Sequence, residues 1–141
     1  MNISDVGIAF IAAHEGCRLE AYLDSVGIPT IGYGHVKGVQ MGQIITQDEA
    51  EAYLRDDVQT AVKCVNNSVS CVLTQSMFDA LVSFVYNLGC NSLRNSTLLR
   101  KVNSGDDIGA SEEFGKWNHA GGVVIAGLTK RRQDEAELFL S

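Results

Sequence analysis

Three residues in the first quarter of the chain have the types and spacing for hydrolytic chemistry. Glu15 follows an apolar run at residues 6–13, Asp24 lies nine positions further on, and Thr30 six beyond that. Two carboxyl groups on opposite sides of a glycosidic bond can hydrolyse it. One, as the acid, protonates the leaving oxygen, while the other, with a hydroxyl, holds the attacking water. The acid must keep its proton near neutral pH, which requires a raised pKa. A glutamate at a helix C-terminus, against the negative end of the helix dipole, is suitably placed.

The elements that must position these groups are short and local. Ser4 or Asp5 can cap a helix that puts Val6, Phe10 and Ala13 on one face. Gly16 then ends it, just past Glu15. Residues 21–23 and 30–33 read as strands, with Ser25, Val26 and Gly27 as the turn between them. The acid at the helix end thus faces Asp24 and Thr30 on a β-hairpin. Each residue also has an ordinary reading. Asp24 can cap the turn and Thr30 can be a plain strand threonine. Glu15 can pair with Arg131 or Arg132, and an arginine could also orient it as an acid. Glu20 reads as a solvated partner of Arg18. His14 reads as a helix-end surface residue. Tyr33 and His35 close the hairpin, and His35 reads as a hydrogen-bonded strut in preference to a site-lining group. Tyr33, His35, Asn87 and Arg131 are the candidate substrate-binding or supporting residues.

Downstream the chain is helical. Thr46 to Glu49 form a capping box that starts a helix of about five turns, with Ala50, Leu54, Val58, Ala61, Val62 and Val65 inward. Thr74 starts a helix with apolar residues on nearly all faces, hence a buried central one, ended by Gly89. Asn87, near its end, is either a satisfied core amide or a site residue. Shorter helices are expected at residues 97–102 and from Asp106 to about Trp117, a loop at 118–126, and a last helix at 128–140. That last helix shows Leu128, Ala136, Phe139 and Leu140 as apolar, and Arg131, Arg132 and Glu135 as polar. The fold class is α+β, mostly helical, in a single domain over residues 1–141. The β lobe covers about 15–45, and the helical lobe about 74–141 plus the N-terminal helix.

Composition narrows the function classes. At 45% hydrophobic, 141 residues suffice for one core and not for two ordinary domains. A formal net charge of −6 argues against nucleic acid as partner. Lys130, Arg131 and Arg132 form the one basic cluster, which reads as a solvated helix face. No stretch reaches the length of a membrane span, and residues 6–13 read as a structural helix, not an export signal. Cys17, Cys64, Cys71 and Cys90 contain no C-x-x-C pair and the three histidines are scattered, so neither a metal site nor a cofactor is expected. Free thiols are one reading. The other is a disulfide between Cys64 and Cys71 across a short interhelical loop, leaving Cys17 and Cys90 as the second pair.

Taken together, Glu15-Gly16, Arg18-Leu19, Ala21-Tyr22, Asp24, Gly27 and the run from Thr30 to His35 resemble the active-site region of the tailed-phage lysozymes, or endolysins, of glycoside hydrolase family 24. Gln75 to Asn87 resembles their buried helix. Ser96 to Leu99, and Trp117 with Gly127, Leu128, Arg131 and Arg132, resemble their later segments, so the likeness spans the chain. It implies a small β lobe joined by a long helix to a helical lobe. It also implies muramidase activity on the β-1,4 bond between N-acetylmuramic acid and N-acetylglucosamine in peptidoglycan. Carried over position by position, Glu15 is the general acid, and Asp24 and Thr30 complete the triad, with inversion at the anomeric carbon favoured. The resemblance implies a protein made in the host cytoplasm that reaches the periplasm through a holin, and a monomer is the default expectation. His14 and the acidic net charge depart from several relatives. A non-catalytic wall-binding module and a lytic transglycosylase are the competing classes; the first is disfavoured by the intact triad, and the second would leave anhydro-muramic ends.

Overall fold

The computed structural model describes residues 1–141 as eight α-helices and two small antiparallel hairpins. The chain divides into two units, Ile8–Gln59 and a second made of Met1–Gly7 with Thr60–Ser141. Helix α1 (Asp5–Glu15) begins in the second and ends in the first.

In the unit Ile8–Gln59, strand β1 (Arg18–Leu23) pairs with β2 (Pro29–Gly32). Tyr22 stands opposite Thr30, Leu23 opposite Pro29, and Arg18 opposite Gly32, with an irregularity between. The chain then folds back at once: Ile31 and His35 exchange both backbone hydrogen bonds at 2.9 Å, which makes residues 32–34 a tight turn. Gly32 (φ +65°) is required there, because a Cβ would sit in the left-handed region and 3.4 Å from the Ala50 methyl. Ala21, Ile31, Ile45 and Ala50 form the core, flanked by Tyr33, Val39 and Tyr53. Helix α2 (Gln47–Asp57) starts with the expected capping box, both reciprocal bonds present between Thr46 and Glu49. The expected five-turn helix is divided at Val58, and α3 (Gln59–Ser68) follows. Asp56, Asp57 and Val58 are weak helix formers, and the break falls on them.

In the helical unit, α4 (Gln75–Leu88) is the central helix, buried without interruption from Met77 to Val85. Thr74 caps it and Gly89 (φ +91°) ends it. Around it lie α5 (Cys90–Arg94), α6 (Thr97–Asn103), α7 (Asp107–Glu113) with a 3-10 turn over Phe114–Lys116, and α8 (Ala126–Leu140). The rings of Phe84, Phe114, Trp117 and Phe139 meet edge-on or tilted, with centroids 5.5–5.8 Å apart. Ser4 caps α1 by accepting from the Gly7 amide at 3.1 Å, and buried Asp79 in turn takes the Ser4 amide and hydroxyl. A Cβ on Gly7 would come within 2.7 Å of the Asp79 carboxyl carbon, so only glycine fits. Two elements were not expected from the sequence. One is α5; the other is a hairpin of β3 (His119–Ala120) and β4 (Val123–Val124) inside the expected loop, turned by Gly121 and Gly122. The Gly-Gly pair was the available signal.

Two expectations are corrected. The disulfide joins Cys64 to Cys90, neither to Cys71 nor in the Cys17–Cys90 pairing, and Cys17 and Cys71 are free. Cys64 lies on the buried face of α3, and Cys90 at the start of α5 places its Cα 5.9 Å away. Cys71, three residues past the end of α3, instead donates to the Val102 carbonyl at 3.2 Å. The second correction concerns the basic cluster. Arg131 and Arg132 are buried, and only Lys130 shows a solvated side chain, paired with Asp134 at 2.8 Å.

Candidate active site

Glu15 is the last residue of α1, half-buried, with Gly16 (φ +70°) turning the chain immediately after it. The Gly16 amide closes the helix on the Ala12 carbonyl at 3.1 Å. The Glu15 carboxylate reaches the turn after β2: a Cβ built on Gly34 would lie 3.8 Å from its Oε2. The acid and the 32–34 turn, whose Gly34 is four residues after Thr30, are therefore neighbours. His14 packs its ring against Phe10, with centroids 4.9 Å apart, on the preceding turn of α1.

Asp24 directly follows β1 and is fixed by the main chain. Its Oδ1 accepts from the Val26 amide at 2.9 Å and from the Ile28 amide at 2.8 Å. Its own amide donates to the Ile28 carbonyl at 3.0 Å. The turn-capping reading of Asp24 is thus realised in geometry, and it leaves Oδ2 outside these bonds. Thr30, 4% exposed, donates its hydroxyl to the same Ile28 carbonyl at 2.9 Å. The backbone of Ile28 is therefore the common support of Asp24 and Thr30, a role no side-chain pattern could reveal. With its hydrogen committed, the Thr30 oxygen can act only as an acceptor toward anything else.

Around these groups the unit is braced. His35 Nδ1 meets Asp57 Oδ2 at 2.7 Å, and the imidazole stacks on Tyr53 with centroids 4.2 Å apart and planes 5° from parallel. His35 thus holds the turn 32–34 onto α2. The Tyr33 hydroxyl accepts from Gln47 Nε2 at 2.7 Å. Arg18 lies over the Tyr22 ring at 4.3 Å and makes no ion pair with Glu20, contrary to the sequence expectation.

Asn87 and Arg131 belong to the helical unit. There polar residues of α8 that the sequence marks as a solvated face are buried and form a charge cluster. Arg132 Nε lies 2.7 Å from Glu135 Oε1, and Arg131 Nε 3.4 Å from Oε2. Ser83 of α4 donates its hydroxyl to Oε2 at 2.6 Å, and Arg132 Nη2 donates to Asn87 Oδ1 at 2.9 Å. Arg132 also lies over the Phe84 ring at 5.4 Å. Burial pushes the Glu135 carboxyl up and the Arg132 guanidinium down, and their mutual attraction offsets part of each shift. Asn87 is thus a partner of this cluster.

The pattern of the Phage lysozyme family matches residues 12–135. An endolysin of Acyrthosiphon pisum secondary endosymbiont phage 1 is 43% identical, with 100% of this chain aligned to 99% of that one. An endolysin of Bacillus phage B103 is 48% identical over 100% of this chain, which spans about half, 55%, of its length. Among solved structures, the endolysin from Escherichia coli O157:H7 phage FAHEc1 superposes with a TM-score of 0.94 at 42% identity, covering 100% of this chain and 94% of that one.

Proposed function

The chain belongs to the phage lysozyme family, and from that premise we propose that Glu15, Asp24 and Thr30 carry its reaction. The protein is a peptidoglycan-hydrolysing endolysin and a lysozyme-type glycosidase, which cleaves the β-1,4 bond between N-acetylmuramic acid and N-acetylglucosamine. The observation that best supports the residue roles is the sharing of Ile28 by Asp24 and Thr30.

In this reading a water sits between the Thr30 hydroxyl oxygen and Asp24 Oδ2. Both of those atoms accept, so each takes one of the water's hydrogens, and its lone pair is left to attack the anomeric carbon. Glu15 gives its proton to the leaving glycosidic oxygen as that carbon–oxygen bond breaks, and Asp24 receives a proton from the water. The anomeric carbon is inverted. Tyr33 and His35 support the turn beside Glu15, and Asn87 and Arg131 support the helical unit. The protein acts as a monomer. It is held in the host cytoplasm until a holin admits it to the periplasm, where its substrate lies.

Glu15→Gln tests the assignment. On isolated peptidoglycan the variant should lose about 10³-fold in rate, while wild type clears the suspension and releases reducing muramic ends. Retained clearing by the variant would remove Glu15 from the mechanism, anhydro-muramic ends would make the enzyme a transglycosylase, and co-sedimentation without clearing would leave a binding module.

A further inference from the structure

We propose that Gln47 is a positioning residue for the catalytic acid, a proposal that rests on the assignment of Glu15 above. Its side chain ties together the two chain segments that flank the Glu15 carboxylate. Gln47 is the first residue of α2, and the helix does not need it, since Thr46 and Glu49 already satisfy the capping box. Its amide is used elsewhere. Nε2 donates to the Tyr33 hydroxyl at 2.7 Å, and Oε1 faces the Cys17 thiol at 3.8 Å.

Each partner stands next to a glycine that borders the acid. Cys17 follows Gly16 (φ +70°), which leaves the helix directly after Glu15. Tyr33 precedes Gly34 (φ +89°), which lies against Glu15 Oε2. Both are glycines at positive φ, and because glycine has no Cβ to restrict its dihedrals, neither flank is held by its own backbone preferences. The Gly34 side is braced from below by the His35–Asp57 bond. The Gly16 side has its helix-closing bond to Ala12, and beyond that the thiol contact. One amide, donor at one end and acceptor at the other, links the two. Only a group with both functions could bridge a hydroxyl used as acceptor and a thiol used as donor. Placement errors of an ångström in a catalytic group cost up to about 10²-fold in rate, so a polar strap at this place acts on turnover more than on binding.

The test uses the full chain and soluble glycan strands released from peptidoglycan by sonication. Gln47→Ala should lower kcat about tenfold and leave KM within about twofold. Its Tm should stay within about 3 °C of wild type, as expected of an exposed substitution outside the cap bonds. Gln47→Met keeps the length and loses both bonds, so it should fall with Gln47→Ala. Tyr33→Phe removes the acceptor, and the double variant Gln47→Ala with Tyr33→Phe should be no slower than the slower single. A kcat within twofold of wild type for Gln47→Ala, recovery by methionine, or effects that multiply would each overturn the proposal. Glu15→Gln is run beside them: if it stays active the catalytic assignment and this proposal fail together, whereas if it is inactive, failure at Gln47 counts against the strap alone.

Discussion

Asp24 and Glu135 are both carboxylates held by several donors, and they are held in opposite ways. Asp24 is gripped by two backbone amides from the turn that follows it, on one oxygen only. Glu135 is gripped by side chains, from Ser83 on α4 and from Arg131 and Arg132 one turn earlier on α8, with no exposed surface. The first arrangement costs little, because a short turn supplies the donors, and it leaves one oxygen available for a water. The second takes three charges out of solvent and commits them to one another. A local grip of this kind suits chemistry, and a long-range grip suits architecture.

The largest effect that would sharpen this contrast is expected from Glu135→Ala. It leaves two buried guanidinium groups without their counter-charge, which should destabilise the protein by about 3–5 kcal/mol. Denaturant unfolding reads this directly. At temperatures where the variant stays folded, its turnover should remain near wild type, the reverse of Glu15→Gln, which should unfold like wild type and not turn over. A Glu135→Ala protein as stable as wild type would break the contrast.

The same difference explains what could be read in advance. Glu15, Asp24 and Thr30 lie within sixteen residues, on elements whose turns are marked by Gly16 and Gly27, so the helix end and the hairpin were legible, while the roles of the three residues came only from the resemblance to a family. The Ile28 backbone support was not, because any residue but proline offers the same N–H and C=O. Arg131, Arg132 and Glu135 stand three and four positions apart, the spacing of a solvated ion-pair stripe, and nothing local says that α4 covers them. Ser83 and Asn87, polar positions on a mostly apolar helix, were the hints of a buried partner. The disulfide failed for the same reason. Sequence proximity favoured Cys71 as the partner of Cys64, while the turn after α4 brings in Cys90 from 26 residues away.

That bond gives the next, somewhat smaller effect. Closing a loop of 26 residues is worth about 3 kcal/mol through the unfolded chain. Reduction with dithiothreitol, or Cys90→Ser, should therefore lower the unfolding free energy by about that amount. The bond lies wholly in the helical unit, and the unit that carries Glu15 has only the free thiol of Cys17. Hydrogen exchange should show the loss spread over α3 to α5. Faster exchange confined to the hairpin β1–β2 would show that the unit carrying Glu15 depends on the bond after all.

The smallest effect separates two acids of the helical unit by sign. The Lys116 ammonium, 2.5 Å from Glu113, holds that carboxyl below its ordinary 4.5, with help from Lys101. A depressed folded value means that the unfolded chain binds the proton first. The stabilisation from Glu113 is then complete above pH 4.5 and is lost as the pH falls through the lower, folded value. Glu135 is shifted the other way: burial raises its carboxyl, and Arg132, Ser83 and Arg131 offset only part of that rise. The Tm gap between wild type and Glu113→Gln should therefore be flat above pH 5 and shrink steadily below 4.5. High salt should reduce it, since the Lys116 side chain is 70% exposed. A gap independent of pH down to the acid transition would mean that Glu113 packs and does not pair.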